Sequence, residues 1–363
     1  MKKSLVALAI LAAAGVASAQ SSVTLFGVVD MNYAYGSGSG VGSSSKSQLT
    51  GGGYNSNRIG FRGTEDLGGG MSASFWLEAG TNPDNGTGQA TNINNQTTGT
   101  SAATAGTQGL TFNRRSTLSL ASGLGELRLG RDYSPQFWNQ VVFDPFGVVG
   151  VGNSQAFVSN LGNATTSVRS SNGIGYFLPG NLGGFYGQFQ HYLGENNQTG
   201  VATEDDGKGN GIRLGYANGP VNVAAATSNT NFARTATTGD LKSTNIGGSF
   251  DFGVATVMAL VTRDKVDATT TLTGKGALVG GLIPLGAGQI RLSYSTYKTN
   301  AATTPKAKKI SLGYVHNLSK RTALYTTFAR VTNSGGSAVA LNGAVTAANA
   351  RSTGYDFGIK HSF

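Results

Sequence analysis

Cysteine is absent from the 363-residue sequence, histidine occurs three times and proline seven. A chain without cysteine has no disulfide framework, so its fold must close by other means. The histidines are His191, His316 and His361, and no run of Cys, His and Asp has metal-ligand spacing. Hydrolytic chemistry of the kind found in membrane-embedded proteases and lipases needs a His or paired acids beside a nucleophile, and the sequence offers no such set. An enzyme is not expected, and neither is a cofactor or a bound metal. Charged residues make up 12% of the chain, about half the ~25% of an ordinary soluble domain. After the N-terminus no stretch of 18 apolar residues occurs, which excludes a transmembrane helix there.

What is present points elsewhere. Lys2 and Lys3, the apolar segment from Leu5 to Val16 and the small-residue site Ala17-Ser18-Ala19 have the layout of a secretory signal peptide. Residues 1–19 are expected to be removed, leaving 20–363 as one domain. Glycine numbers 56, roughly twice its ~7% share, which suits many strands joined by tight turns. At the other end, Tyr355, Phe357, Ile359 and Phe363 alternate with Asp356, Gly358, Lys360 and Ser362. Side chains alternate across a strand, so this segment has one apolar and one wet face. In an exported chain that pattern suggests a strand closing a barrel in an outer membrane.

The same alternation recurs along the chain. Val23, Leu25, Val29, Met31 and Tyr33 are apolar between polar residues, as are Leu118 and Leu120, Ile212 and Leu214, Ile290 and Leu292, and Ile310 and Leu312. About sixteen such segments can be drawn, the second over 54–65 and the fourth over 110–122. Connectors alternate between short Gly-rich turns, such as Asp66 to Gly70, and long polar ones, such as Asn82 to Gln108. Short periplasmic turns and long external loops are the pattern of bacterial barrels. The expected fold is all-β, a 16-stranded antiparallel transmembrane β-barrel, wide enough to enclose an aqueous channel. One connector, about 133–168, differs by carrying Phe137, Trp138, Val141, Val142, Phe143, Phe146, Val148 and Val149. A solvent-exposed loop rarely carries so much apolar surface, so this loop is expected to fold into the barrel and narrow it.

Strand phase then orients the charges. Arg58, Arg62, Arg115, Arg128 and Arg213 are out of step with their apolar neighbours. An arginine facing lipid at mid-membrane costs about 2–4 kcal/mol, which sends these side chains inward. Arg114 shares the phase of Leu118 and Leu120 and is either near the membrane boundary or displaced by a bulge. Between Tyr133 and Gly194 the only acid is Asp144, so the constriction loop sets little negative charge against the wall arginines. The formal charge is +10; without Lys2 and Lys3, 25 basic residues face 17 acidic ones, a net of +8. The basic residues are scattered singly along strands of an exported chain, which argues against nucleic acid as a partner. Inside a pore the same excess attracts small anionic solutes.

Several segments resemble Gram-negative trimeric outer-membrane porins, and most of all the anion-selective type of β-proteobacteria. They are Ser22-Val23-Thr24-Leu25-Phe26-Gly27, Arg58-Ile59-Gly60-Phe61-Arg62-Gly63, Gly125-Glu126-Leu127-Arg128-Leu129-Gly130-Arg131, Asp144-Pro145-Phe146-Gly147 and Leu312-Gly313-Tyr314-Val315-His316-Asn317, with the terminal Phe363. His361 departs from the more lipophilic residue common in that family. The resemblance implies a homotrimer, an inward-folded third external loop containing Phe143, Asp144 and Phe146, and a cluster of wall arginines matched by Arg58, Arg115 and Arg169. It implies passive diffusion of small hydrophilic solutes with a preference for anions, contact with outer-membrane lipids and lipopolysaccharide, and recognition of the C-terminal strand by the assembly machinery. A channel specific for one solute and a purely structural barrel are the competing readings of the residues. The signal-peptide reading predicts that mass spectrometry of the protein extracted from outer membranes finds Gln20 at the N-terminus; a retained Met1 would overturn it.

Overall fold

A computed structural model describes residues 22–92, 95, 109–155, 161 and 166–363. The expected signal segment 1–19 and most of the polar connector 93–108 lie outside the described residues. In chain order the strands are β1 (Ser22–Gly38), β2 (Ser45–Gly51), β3 (Arg58–Gly68), β4 (Met71–Asn82), β5 (Thr87–Gly88), β6 (Arg115–Ser122), β7 (Gly125–Tyr133), β8 (Arg169–Phe177), β9 (Phe185–Tyr192), β10 (Gly209–Asn218), β11 (Val221–Thr230), β12 (Leu241–Asp251), β13 (Thr256–Val266), β14 (Leu272–Leu285), β15 (Gly288–Thr299), β16 (Lys306–Asn317), β17 (Thr322–Ser334) and β18 (Arg351–Ser362). A helix, α1 (Pro135–Phe143), follows β7. Each wall strand pairs antiparallel with its neighbour, and β18 returns to β1 in the register Val28↔Ser362 to Gly38↔Ser352. Mutual backbone hydrogen bonds between Gly27 and Phe363, both 3.1 Å, extend that seam to the last residue. Closure leaves no free edge and satisfies the backbone within lipid.

The strand segments make sixteen wall positions. β2 and β3 occupy one of them, pairing with the upper and lower halves of β1, and β5 only extends the top of β4. The second strand expected over 54–65 is β3, which starts at Arg58, and the correction is an additional β2 before it, with a break in the ladder between the two. The cause is Asp30, which faces inward from β1. Its Oδ2 accepts the backbone N–H groups of Tyr54 at 2.9 Å and Asn55 at 2.5 Å, and the Tyr325 hydroxyl donates to its other oxygen. Asn57 completes the break, accepting from the Asp30 N–H at 2.5 Å and donating to its carbonyl at 3.1 Å.

Face assignment follows the alternation. Val23, Leu25, Leu118, Leu120, Leu312 and Phe357 are exposed on the outer surface, whereas Asp30, Ser119, Asn245, Ser311 and Asp356 are buried toward the lumen. Aromatic pairs mark the short-turn end, with Phe185 against Tyr216 at 4.9 Å and Phe250 against Phe252 at 4.5 Å, where amphipathic rings meet the lipid headgroups.

The loop after β7 folds inside. Pro135 opens α1 at a position where its missing N–H costs nothing. The helix buries Phe137 and Phe143, and Phe143 packs with Ala224, Leu260 and Leu278 of the inner wall. Polar anchors fix it: Asn139 donates to Ala224 O at 3.2 Å and to Asn245 Oδ1 at 2.8 Å. The wall accommodates the loop through inward-facing glycines on alternate strands. A Cβ built on Gly211, Gly247, Gly280, Gly313 or Gly354 would lie 2.8, 2.3, 2.8, 3.0 or 2.6 Å from Pro135, Phe143, Pro145, Phe146 or Val151 respectively. Because overpacking costs about 1–3 kcal/mol, Gly247→Val is expected to lower the thermal unfolding midpoint in detergent and make the single-channel conductance larger and noisier. Gly248→Val, on the outer face of the same strand, serves as the control and should leave both unchanged.

Candidate functional site

Four arginines from different parts of the wall converge on one cavity of about 510 Å³. Arg58 begins β3, directly after the break that Asp30 organises, and its Nε lies 3.9 Å from Glu78 Oε1. Arg114 donates from Nε to the same oxygen at 2.6 Å and from a terminal nitrogen to the Tyr133 hydroxyl at 3.2 Å. Arg169 donates to the Arg114 carbonyl at 2.8 Å, with its guanidinium 4.5 Å from the centre of the Tyr133 ring. Arg291 of β15 sits 4.4 Å from the centre of the Tyr54 ring, and its Nε has no hydrogen-bond partner among the described residues. Tyr54, Phe137, Val141, Phe146 and Val148 supply much of the remaining lining.

Among the described residues Glu78 is the one carboxylate bonded to this group. It takes Arg114 and Arg58 on one oxygen and the indole N–H of Trp76 on the other at 3.1 Å. Four cations against one anion leave the cavity strongly positive. Asp144 acts on Arg291 electrostatically, but its carboxylate is engaged by the loop's own backbone. It is buried, and its carboxylate accepts the backbone N–H groups of Phe146 at 2.9 Å, Ser154 at 2.8 Å and Val148 at 3.3 Å. The loop's far end is tied down separately: Val151 donates to Asp356 at 2.8 Å and Lys309 to Asn153 at 2.9 Å.

The structure thus brings together Arg58, Arg114 and Arg169 of the residues named from sequence. Arg115 stands apart. It packs 4.5 Å from the centre of a Trp76 ring, 3.7 Å from Asp132, and faces a second cavity with Arg128 and Arg213. Arg114 takes the central place because β6 begins only at Arg115. The Arg114 N–H donates to Glu78 O at 3.1 Å before the regular ladder starts, and its side chain turns inward. Arg62 lies toward the short-turn end, 5.2 Å and 5.0 Å from the Phe26 and Trp76 rings. Of the loop residues, Phe146 lines the cavity and Phe143 is wholly buried in the wall contact. Arg291 and Tyr54 were not singled out from sequence. Arg291 was legible by the same rule, being out of phase with Ile290 and Leu292.

Comparison with known proteins places this geometry. The family model for Gram-negative porins matches residues 4–336. The chain is 37% identical to outer membrane porin protein 32 of Delftia acidovorans, over all of both chains. Among solved structures, an anion-selective porin from Comamonas acidovorans superposes with a TM-score of 0.82 at 34% identity, covering 95% of this chain and all of that one. The trimer form of OmpT from Vibrio cholerae shares the fold at 11% identity, with a TM-score of 0.63, over 94% of this chain and 99% of that one.

Removing the Asp144 carboxylate would leave three loop amides without their acceptor, at a cost of about 1–3 kcal/mol for each one left buried and unsatisfied. Asp144→Ala is therefore expected to loosen the loop, seen as a higher single-channel conductance with more current noise. Asp144→Asn, which keeps one acceptor oxygen, should fall between it and the parent; identical traces for all three would show that Asp144 does not hold the loop.

Proposed function

The chain belongs to the Gram-negative porin family and is an outer-membrane channel rather than an enzyme, and from this we propose that its lumen arginines give it a preference for anions. The constriction is the cavity between the seated loop and the wall carrying Arg58, Arg114, Arg169 and Arg291. The observation that carries the proposal is the four-to-one excess of cations over bonded carboxylates there. Like charges in a narrow, partly desolvated passage interact strongly with a passing ion, and rings of Arg or Lys select anions. The printed title of the Comamonas acidovorans relative supports the same reading. Small hydrophilic solutes cross passively, with no cofactor and no energy source.

The working assembly is a homotrimer, as the trimer form of OmpT suggests, with the outward apolar residues divided between partner subunits, lipid and lipopolysaccharide. The terminal strand ending at Phe363 is the segment offered to the outer-membrane assembly machinery, and residues 1–19 direct export across the inner membrane.

Planar-bilayer recordings under a salt gradient test the charge argument. The parent channel is expected to give a reversal potential of anion-selective sign. Arg58→Ser, Arg114→Ser and Arg169→Ser combined should move it substantially toward zero, and adding Arg291→Ser should move it further. Arg115→Ser alone should leave it near the parent value. A parent potential of zero or of cation-selective sign would overturn the proposal.

A further inference from the structure

A second cavity of about 280 Å³ opens beside the constriction, toward the short-turn end, with Tyr133 lining both. Its charges are not equivalent. Arg128 is held by Glu126 at 2.8 Å and by Asp132 at 2.6 Å. Arg115 reaches Asp132 only at 3.7 Å. Arg213 is in no ion pair among the described residues; it donates to Asn139 Oδ1 at 3.0 Å and to the Tyr186 hydroxyl at 3.3 Å. Three cations against two carboxylates leave one net positive charge, and Arg213 is the cation without an acidic partner among the described residues.

The rest of the lining is aromatic. Trp138, on α1, remains 39% exposed while its neighbours Phe137 and Asn139 are buried. Among the described residues its indole N–H has no hydrogen-bond partner. One side of the indole is supported by the Tyr133 ring at 5.4 Å, and the other lining rings are Phe177 and Tyr186. A channel that passed only small hydrated ions would gain nothing by holding a large apolar ring open to the lumen. A concave site with aromatic walls and one convergent charge suits a flat apolar ligand bearing a single negative group.

We propose that this cavity binds aromatic monocarboxylates of the benzoate class. The carboxylate is taken by the guanidinium group of Arg213, and the ring stacks on the open face of Trp138. The volume, just below the ~300–1,000 Å³ of drug-sized sites, holds one substituted ring. The single net charge favours a monocarboxylate over a dianion. The inference rests on the channel reading only in requiring that the lumen admit anions.

The chain has two tryptophans, Trp76 and Trp138, so Trp76→Phe leaves Trp138 as the only indole reporter. In the full-length protein purified in detergent, sodium benzoate is expected to change its emission saturably, while sodium acetate at the same ionic strength does not. In bilayers, benzoate should reduce the single-channel current of the parent saturably. Trp138→Ala should raise the half-blocking concentration about tenfold, in line with one lost aromatic pair, and Arg213→Gln should raise it at least as far. Sodium cyclohexanecarboxylate should block severalfold less well than benzoate. Equal effects of benzoate and acetate, or a Trp138→Ala channel that titrates like the parent, would overturn the site. Because Trp138 is exposed, its replacement is not expected to unfold the barrel, and the fluorescence arm reads binding even if the reversal potential shows no anion preference.

Discussion

The structure depends on how a loop is held inside a barrel whose buried apolar residues form several separate clusters rather than one continuous core. Closing the ladder between β1 and β18 satisfies the backbone in lipid but leaves a wide, wet interior. Nothing there would hold a connector unless the wall were shaped to receive it. The seat is made by subtraction: Gly211, Gly247, Gly280, Gly313 and Gly354 remove the Cβ atoms that Pro135, Phe143, Pro145, Phe146 and Val151 would otherwise strike. The loop meets them in sequence order as it crosses β10, β12, β14, β16 and β18. Burial of a ring such as Phe143 contributes roughly 1.5–3 kcal/mol, and the anchors at Asn139, Asp356 and Lys309 fix the path that the apolar contacts allow.

That seat decides the shape and the charge of the opening together. With the loop pressed against the glycine-bearing strands, the open passage lies on the side of β3, Arg114 and β8, where Arg58, Arg114 and Arg169 project. The turn that carries the loop across the lumen is closed by Asp144 onto its own backbone amides. The loop's acid is thereby engaged in building the turn, although its charge still acts on Arg291. On the proposed reading, the geometry and the sign of the constriction follow from a single packing arrangement.

Much of this was legible as alternation. The two-face rule orients Arg58, Arg62, Arg115, Arg128 and Arg213, and on β15 it orients Arg291, which stands between Ile290 and Leu292, in the same way. The rule fails where the ladder is not continuous. Arg114 shares the phase of Leu118 and Leu120, which leaves its direction open, because phase carries no information before the first paired residue. The break between β2 and β3 was also hidden, because Asp30 reads as one more polar residue in an alternating strand, and only the closed barrel brings Tyr54, Asn55 and Tyr325 to its carboxylate. Glycine was read as a turn former. That holds at Gly68, Gly69 and Gly70, all with positive φ, but the five seat glycines lie mid-wall, and their common purpose appears only when their strands are set side by side.

A pore that works by charge must keep its cations in place without neutralising them. Ion pairs would hold the arginines but cancel their field. Here six inward arginines, Arg62, Arg115, Arg128, Arg169, Arg213 and Arg291, lie 3.9–5.2 Å from the centres of aromatic rings. Each stack contributes about 0.5–1 kcal/mol when exposed and about 2 when desolvated. That is enough to bias a rotamer, and the ring removes no net charge. Acids are used where position matters more than field: Glu78 fixes Arg114, and Glu126 with Asp132 fixes Arg128. Among the described residues Arg62, Arg169, Arg213 and Arg291 are stacked without an ion pair and keep their field, whereas Arg115 and Arg128 are both stacked and paired.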